Sequence, residues 1–171
     1  MPTTTAKEVL ETQTFEFAKS IEIAAPIEIT FEAVLAELGP EGQMPDGKPF
    51  PFTLEPWPGG RWFRDLGNNA GHLWGHVQVI KPPTLLEVCG PMFMSYPAIN
   101  HVQYRLTPDE NGDGTRLKLT HRAIGQIAPE HSAGVSDGWD EILKAQLDYR
   151  HKPCNFVEIM PRLEEHLNRG N

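Results

Sequence analysis

The sequence predicts an α+β domain in which an antiparallel sheet of about six to seven strands is covered by a long C-terminal helix. Three observations support this fold class. Segments with strand-like alternation follow one another through the middle of the chain, turn residues separate them, and the last apolar stripe has helical spacing. The 171 residues include 15 Gly and 16 Pro, which suits many short strands better than a helical bundle.

The first part of the chain predicts an arm, a strand and a helix. Residues 1–13 are polar, and we expect them to form a flexible arm, with one helical turn as the alternative. Residues 15–24 alternate between apolar and polar side chains, as a half-buried strand does. Pro26 suits the first turn of a helix, and apolar residues at helical spacing follow it until a Gly-Pro pair ends the helix. Residues 39–51 are rich in Gly and Pro and predict a long loop.

Six strand-like segments follow this loop and predict an antiparallel meander. They comprise residues 52–57, 61–66, 72–80, 84–89, 101–107 and 115–124. The pattern becomes helical at about Ser136, where Ser136 or Asp137 would be the N-cap, and Pro153 would end the helix. We therefore expect a domain over residues 14–152 and a C-terminal helical extension over 153–171.

Charge and cysteine content exclude several classes of protein. The 15 basic and 23 acidic residues give a formal net charge of −8, which disfavours nucleic acid and anionic membrane surfaces as partners. Cys89 and Cys154 have no redox or metal-binding spacing, and no segment is typical of a signal peptide or a membrane-spanning helix. We expect a cytoplasmic protein with no cofactor and no metal.

Side-chain alternation predicts which strand residues face the long helix. In residues 115–124, Leu117, Leu119, His121 and Ala123 share the face that we expect to be inward. The same argument turns further side chains inward, namely Leu73, Val77, Val79, Leu86, Val88, Val102, Tyr104 and Leu106. It places Trp74 on the outward face with His72 and His76.

The strand 61–66 carries an arginine on each face, so Arg61 or Arg64 would point inward unless it lies beyond the end of the sheet. An inward arginine would be an anchor for a carboxylate-bearing ligand. The alternative is an arginine paired with Asp65 or another acidic residue at the rim.

Two apparent metal motifs have better structural explanations. His72 and His76 are four residues apart, but on an extended strand they are separated by about 13 Å, too far to share one ion. Residues 109–114 resemble the start of a calcium-binding loop, but Thr120 replaces the required glutamate, and the flanks are strands. A hairpin turn is the better interpretation.

Five motifs occur in order over about residues 14–150. They are IAAPI at 23–27, WPGGRWF at 57–63, GHVQVIKPP at 75–83 with LLEV at 85–88, GTRLKLTH at 114–121, and GWDEIL at 138–143. Together they resemble the START-like helix-grip (SRPBCC) superfamily, in particular the branch named for homology to the activator of the heat-shock protein ATPase. The resemblance implies a curved antiparallel sheet that grips the long helix, with an apolar cavity between them. It implies little about activity, because members include ligand carriers, cyclases, hydrolases and chaperone-associated modules.

The loop between Pro91 and Pro97 is unusually apolar for a connection between strands. It carries Met92, Phe93, Met94 and Tyr96. We expect it to form a lid or mouth of the cavity or a dimer contact, or to pack under the first helix.

Three functions remain open at this point. The first is non-covalent binding of an apolar or amphipathic small molecule, with a site formed by Arg61, Phe63, Val88, Met92, Met94, Tyr104, Leu119, His121 and Trp139. The second is an enzyme of the cyclase or hydrolase kind, with His121 as acid and base and Tyr104 or an inward arginine stabilising negative charge. In that case the alternative for His121 and Tyr104 is a purely structural role in the core. The third is a chaperone-associated interaction module that uses Trp74 or the Met92–Tyr96 loop. The expected partner is a small apolar ligand, and a homodimer is a further alternative.

Overall fold

The computed structural model describes residues 11–44 and 46–148. The elements are β1 (Gln13–Ile23), α1 (Ile27–Glu37), β2 (Thr53–Leu54), β3 (Arg61–Gly67), β4 (Ala70–Lys81), β5 (Leu85–Gly90), β6 (Ala98–Pro108), β7 (Thr115–Gly125) and α2 (Pro129–Asp148). Most of the predicted arm, the predicted end of the long helix near Pro153 and the predicted extension 153–171 lie outside the described residues.

The described strands form one curved antiparallel sheet in the order β1-β7-β6-β5-β4-β3-β2. Both helices pack on the same face of this sheet. Phe31 of α1 and Leu143 of α2 belong to one buried cluster with the inward side chains of the central strands, such as Leu86 and Leu117. The predicted α+β fold class, with a C-terminal helix on an antiparallel sheet, is confirmed.

The predicted inward face is confirmed for the central strands. On β7, Leu117, Leu119 and His121 are fully buried, and on β6 the same holds for Tyr104. The outward side chains of β7 carry charge, and Arg122 pairs with Glu16 of the neighbouring β1 across a distance of 2.6 Å. One face of the sheet is therefore apolar and packed, and the other is polar and solvated.

A bulge in β4 makes the predicted orientation of Trp74 wrong. Trp62 pairs with Gly75 and Phe63 pairs with Leu73, so Trp74 is an extra residue between the two pairs. An extra residue reverses the alternation of side chains on one side of it. Trp74 therefore turns towards the core, whereas Leu73, which was predicted to face inward, is 46% exposed.

A second bulge in β4 makes the prediction for Val79 wrong as well. Val77 pairs with Val88 but Val79 pairs with Glu87, so that Gln78 is the extra residue. Beyond this point Ile80, opposite the buried Leu86, packs against the core in place of Val79.

The helix α2 begins at Pro129, earlier than its predicted start at Ser136 or Asp137. Proline is favourable in the first turn of a helix, where its missing N–H group has no partner to lose. The carbonyl of Ala128 accepts hydrogen bonds from the backbone N–H groups of His131 and Ser132, at 3.0 and 3.2 Å. Within residues 11–44 and 46–148, no helix is both long enough and apolar enough to span a membrane.

The predicted loop 39–51 folds back on the end of α1. The N–H of Phe50 donates to the carbonyl of Gly42 at 2.7 Å, and the N–H of Phe52 donates to the carbonyl of Gly39 at 2.9 Å. These bonds place two phenylalanines beside the C-terminus of the helix.

Candidate functional site

A cavity of about 440 Å³ lies between the C-terminal end of α1, the loop 39–51, the strands β3 and β4, and the helix α2. Six of its wall residues are aromatic: Phe50, Phe52, Trp62, Trp74, Phe93 and Trp139. Phe93 at its mouth is 46% exposed, so the cavity is accessible from solvent.

The aromatic rings contact one another edge to face. The ring centroids of Phe52 and Trp74 are 4.6 Å apart, and those of Trp62 and Trp74 are 5.1 Å apart. The indole N–H of Trp62 donates to the carbonyl of Leu38 at 2.6 Å, which ties this cluster to the end of α1. Edge-to-face packing holds the rings in fixed orientations, so the wall is preformed.

Two glycines on α2 leave room for the cavity. Gly134 and Gly138 are one helical turn apart and both line it. A Cβ atom placed on either glycine would meet no described atom within 4 Å. Because glycine inside a helix costs about 1 kcal/mol relative to alanine, these two positions keep space at the expense of helix stability.

His121 is held on both sides by hydrogen bonds. The indole N–H of Trp139 can only donate, and it lies 2.8 Å from His121 Nδ1, so Nδ1 is the acceptor. Nε2 therefore carries the proton and donates to Asn100 Oδ1 at 2.7 Å. The Asn100 amide donates in turn to the carbonyls of Gly90 and Pro91, at 3.3 and 3.1 Å.

Burial, and to a smaller extent the nearby His101, lower the pKa of His121 to about 4. The imidazole is therefore neutral at pH 7, and both its nitrogens are engaged within the protein. His121 lines the cavity, but in this arrangement it has no free lone pair to act as a general base.

Tyr104 is fully buried behind Trp139, with ring centroids 6.2 Å apart. Its hydroxyl has no hydrogen-bond partner among residues 11–44 and 46–148. Burial, and then the negative charge of Glu37, raise the pKa of Tyr104 far above its usual range. Tyr104 is not part of the cavity wall.

Of the nine residues predicted for the site, Met92, His121 and Trp139 line this cavity. Val88 and Leu119 lie in the main core cluster, and Met94 lies in a smaller cluster with Ala123 and Ile127. Phe63 lies under the guanidinium of Arg61, with 4.6 Å between the guanidinium carbon and the ring centroid. Sequence reasoning missed the wall residues Phe50, Phe52 and Trp62, although a phenylalanine within the Gly- and Pro-rich loop and another directly after it are a signal of burial.

Neither arginine of β3 lines the cavity. Trp62 is the inward residue, and Arg61 pairs with Glu55, at 2.5 Å between Nη2 and Oε1. The acidic partner at the rim is thus Glu55 and not Asp65. The hydrogen bonds from Arg61 lower the pKa of Glu55 to about 2. Arg64 stacks on Phe50, with its guanidinium carbon 3.8 Å from the ring centroid.

The loop from Pro91 to Pro97 contacts the sheet and the first turn of α2. Met92 and Met94 are buried, and Phe93 contacts Trp74 and His131. Tyr96 stacks on His131, with 2.6 Å between its hydroxyl and Nδ1. Met92 has φ of 55°, in the left-handed region that a non-glycine residue adopts only at a cost. Because Met92 and Phe93 both line the cavity, the loop supplies one side of the cavity mouth.

Among the residues that the structure describes, no group of three or more His, Cys, Asp or Glu side chains is placed to hold a metal ion.

The curved sheet, the long helix and the cavity between them define a START-like helix-grip domain. The family model described as "Activator of Hsp90 ATPase homolog 1-like protein" matches residues 48–151, and the chain belongs to this family.

Solved structures share the fold at low sequence identity. An uncharacterized protein from Rhizobium leguminosarum is 16% identical with a TM-score of 0.59, and the match covers 82% of this chain and 96% of that one. CalU16 from Micromonospora echinospora is 19% identical with a TM-score of 0.56, over 92% and 93% of the two chains. DynU16, a protein in the dynemicin biosynthetic locus, is 14% identical with a TM-score of 0.58, over 80% of this chain and 47% of that one. No curated protein matches the chain.

Proposed function

We propose that the protein binds an apolar or amphipathic small molecule in the aromatic cavity, without covalent chemistry. The observation that carries this proposal is the cavity of about 440 Å³ with six aromatic wall residues. Small-molecule sites are mostly apolar clefts of roughly 300–1,000 Å³ with a few polar groups that orient the ligand. Among the residues that the structure describes, the polar and charged ones in the wall are Glu37, Gln43, His121 and Lys144.

The surroundings of His121 support binding better than catalysis. Both imidazole nitrogens are hydrogen-bonded to protein groups, and the Tyr104 hydroxyl lies outside the cavity wall. An interaction module has less support, because Trp74 is turned inward and Met92 and Met94 are buried. Of that predicted contact surface, Phe93 is the large apolar side chain that remains exposed.

The proposal is tested by filling the cavity from the helix. Gly138→Phe would place a ring where a Cβ atom meets no described neighbour, and it should abolish binding of the neutral fluorescent probe N-phenyl-1-naphthylamine. Gly138→Ala is the matched control, because it should retain most probe binding while stabilising the helix by about 1 kcal/mol. Fluorescence titration measures binding, and circular dichroism and thermal unfolding check the fold.

Two outcomes would overturn the proposal. The first is a wild-type protein that does not bind the probe. The second is a folded Gly138→Phe variant that binds the probe as tightly as the wild type. Gly134→Phe tests the same wall one turn earlier, should Gly138→Phe fail to fold.

A further inference from the structure

The outer face of the sheet, opposite the two helices, carries three basic side chains in one line across the strands. The pairing of the strands places Lys81, Arg105 and Lys118 in this line, with Leu85 between Lys81 and Arg105, and with Ser20 of β1 at its end. Arg105 and Lys118 are exposed, and each lies between two buried residues of its strand, so both point away from the helices. Lys81 is exposed as well. These three residues form the basic row.

The strand β1 neutralises the other basic residues on this face of β7 but not Lys118. Arg116 lies opposite Glu22 and pairs with it, at 2.6 Å from Nε to Oε1. Arg122 lies opposite Glu16 and pairs with it at the same distance, 2.6 Å from Nε to Oε2. Lys118 lies between these two arginines on the same face, and the residue opposite it on β1 is an uncharged serine. The alternation of acidic partners is therefore interrupted at Lys118.

The basic row brings like charges together without an acidic group to offset them. Lys118 lies directly opposite Arg105 on β6, and like charges in directly opposed positions destabilise a sheet. Within residues 11–44 and 46–148, no carboxylate forms an ion pair with any of the three residues. The nearby Glu22 pairs with an arginine, and Glu87 accepts a hydrogen bond from Gln103 at 2.7 Å. A chain with 23 acidic residues thus leaves this row uncompensated.

We propose that the basic row is a docking surface for an extended acidic segment of a partner protein. The partner's carboxylates would supply the opposite charge that the fold leaves out, which is the usual arrangement of charges across a specific interface. This inference goes beyond the proposed function, because the basic row and the cavity lie on opposite faces of the sheet.

The dimensions of the row fit an extended peptide. Neighbouring strands lie about 4.8 Å apart, so Lys81 and Lys118, which are three strands apart, are separated by about 14 Å. In an extended peptide alternate side chains point to the same side and the rise is about 3.3 Å per residue, so three such side chains span about 13 Å. An acidic residue at every second position would therefore match the row.

The surroundings of the row favour a protein segment over a nucleic acid. Glu22 and Glu87 lie on the same face, in the rows on either side. A nucleic acid carries phosphates along its whole length, so it would meet these carboxylates and the repulsion of a chain with a net charge of −8. A short acidic segment needs to match only the three basic residues.

Two peptides that differ only in charge test this inference. We expect the acidic peptide GSESESESG to bind, and the neutral peptide GSQSQSQSG to show no binding. Titrations followed by amide chemical shifts at low salt measure the affinity and locate the site, which should include Arg105 and Lys118. Added salt should weaken the binding, because exposed charges are screened.

Matched double variants assign the binding to the row. Arg105→Gln combined with Lys118→Gln should weaken the acidic peptide by about tenfold, because two exposed charge contacts are lost. Arg61→Gln combined with Arg122→Gln makes the same change in net charge. These two arginines already pair with glutamates, so this control should change the affinity by about twofold or less.

A change of sign in the row gives a second readout that does not depend on net charge alone. Lys118→Glu places a carboxylate opposite Arg105, so it should abolish peptide binding and at the same time raise the midpoint of urea denaturation. A lower midpoint would mean that the fold already compensates the charge of Lys118, and would overturn the inference.

Several results would contradict the docking surface. The acidic peptide could fail to bind, the neutral peptide could bind equally well, or the two double variants could lose the same affinity. Tighter binding of a short oligothymidylate than of the acidic peptide would make a nucleic acid the partner instead. Gly138→Phe should bind the peptide as the wild type does, so failure of the cavity proposal is measured separately.

Discussion

At the scale of single residues, the hydrogen bonds around His121 form a closed set. Trp139 donates to the imidazole, the imidazole donates to Asn100, and Asn100 donates to two backbone carbonyls. Removing one member leaves a buried polar group unpaired, which costs about 1–3 kcal/mol. The hydrogen bonds through His121 and Asn100 therefore hold the indole of Trp139, and with it one wall of the cavity, in place.

The lowered pKa of His121 predicts a stability that depends on pH. The unfolded chain binds a proton near the ordinary histidine pKa of about 6.5, whereas the folded protein binds it only near 4. The unfolded state thus holds more protons between these values, so the free energy of unfolding should rise with pH from about 4 to about 6.5. Linkage sets the size at about 3 kcal/mol or less, and chemical denaturation at a series of pH values measures it.

His121→Gln should flatten this rise, because glutamine does not titrate. His72→Gln changes an exposed histidine on β4 and should retain the wild-type slope. A His121→Gln variant with the full wild-type slope would show that the imidazole is not the group responsible.

The pair of Arg61 and Glu55 allows a direct titration. Arg61→Ala removes the side-chain hydrogen bonds, which are the largest cause of the low pKa of Glu55 of about 2, whereas the backbone N–H of residue 61 still donates to the carboxylate. The pKa of Glu55 should therefore rise part of the way towards 4.5. Carbon-detected NMR of the glutamate carboxyls follows the change. Arg122→Ala, which removes the partner of Glu16, should leave the pKa of Glu55 unchanged, and an equal shift in both variants would contradict the assignment.

At the scale of elements, β4 decides the composition of the cavity wall. Its first bulge turns Trp74 into the aromatic cluster and leaves Leu73 exposed, and its second bulge exchanges Val79 for Ile80. Gly75 and Gly90 allow the close backbone approach beside the first bulge, where a Cβ atom on Gly90 would lie 2.4 Å from the Cα of Gly75. Bulges of this kind bend a strand and redirect side chains near binding sites.

The buried side chains of α2, such as Leu143, should hold this helix in place on the sheet. Leu143→Ala removes a side chain that is 1% exposed within the main cluster, and we expect it to lower the free energy of unfolding by about 2–4 kcal/mol. Lys144→Ala alters the next residue, which is exposed, and should change the free energy of unfolding by about 0.5 kcal/mol or less. Urea denaturation measures both. Equal effects of the two substitutions would mean that α2 is not anchored through Leu143.

At the scale of the whole molecule, the cavity lies where three parts of the fold meet and their side chains do not fill the space between them. The loop 39–51 folds over the end of α1, α2 presents two glycines, and β3 and β4 supply the indoles of Trp62 and Trp74. The far side of the sheet is polar, with Arg116 and Arg122 paired to acidic residues of β1. The cavity wall contains one acidic and one basic residue among those that the structure describes, Glu37 and Lys144, so the net charge of −8 does not accumulate there.

The sequence by itself determined the α+β class, the order of strands and helices, and the inward face of β6 and β7. These features depend on local periodicity and on turn residues, which are read within a few positions along the chain. Only the tertiary structure decided where Trp74 points and what His121 contacts. A bulge depends on the register against the neighbouring strand, and the partners of His121 lie 21 and 18 residues away in the chain. The aromatic cavity beside Glu37 exists because packing brings together segments that no local pattern connects.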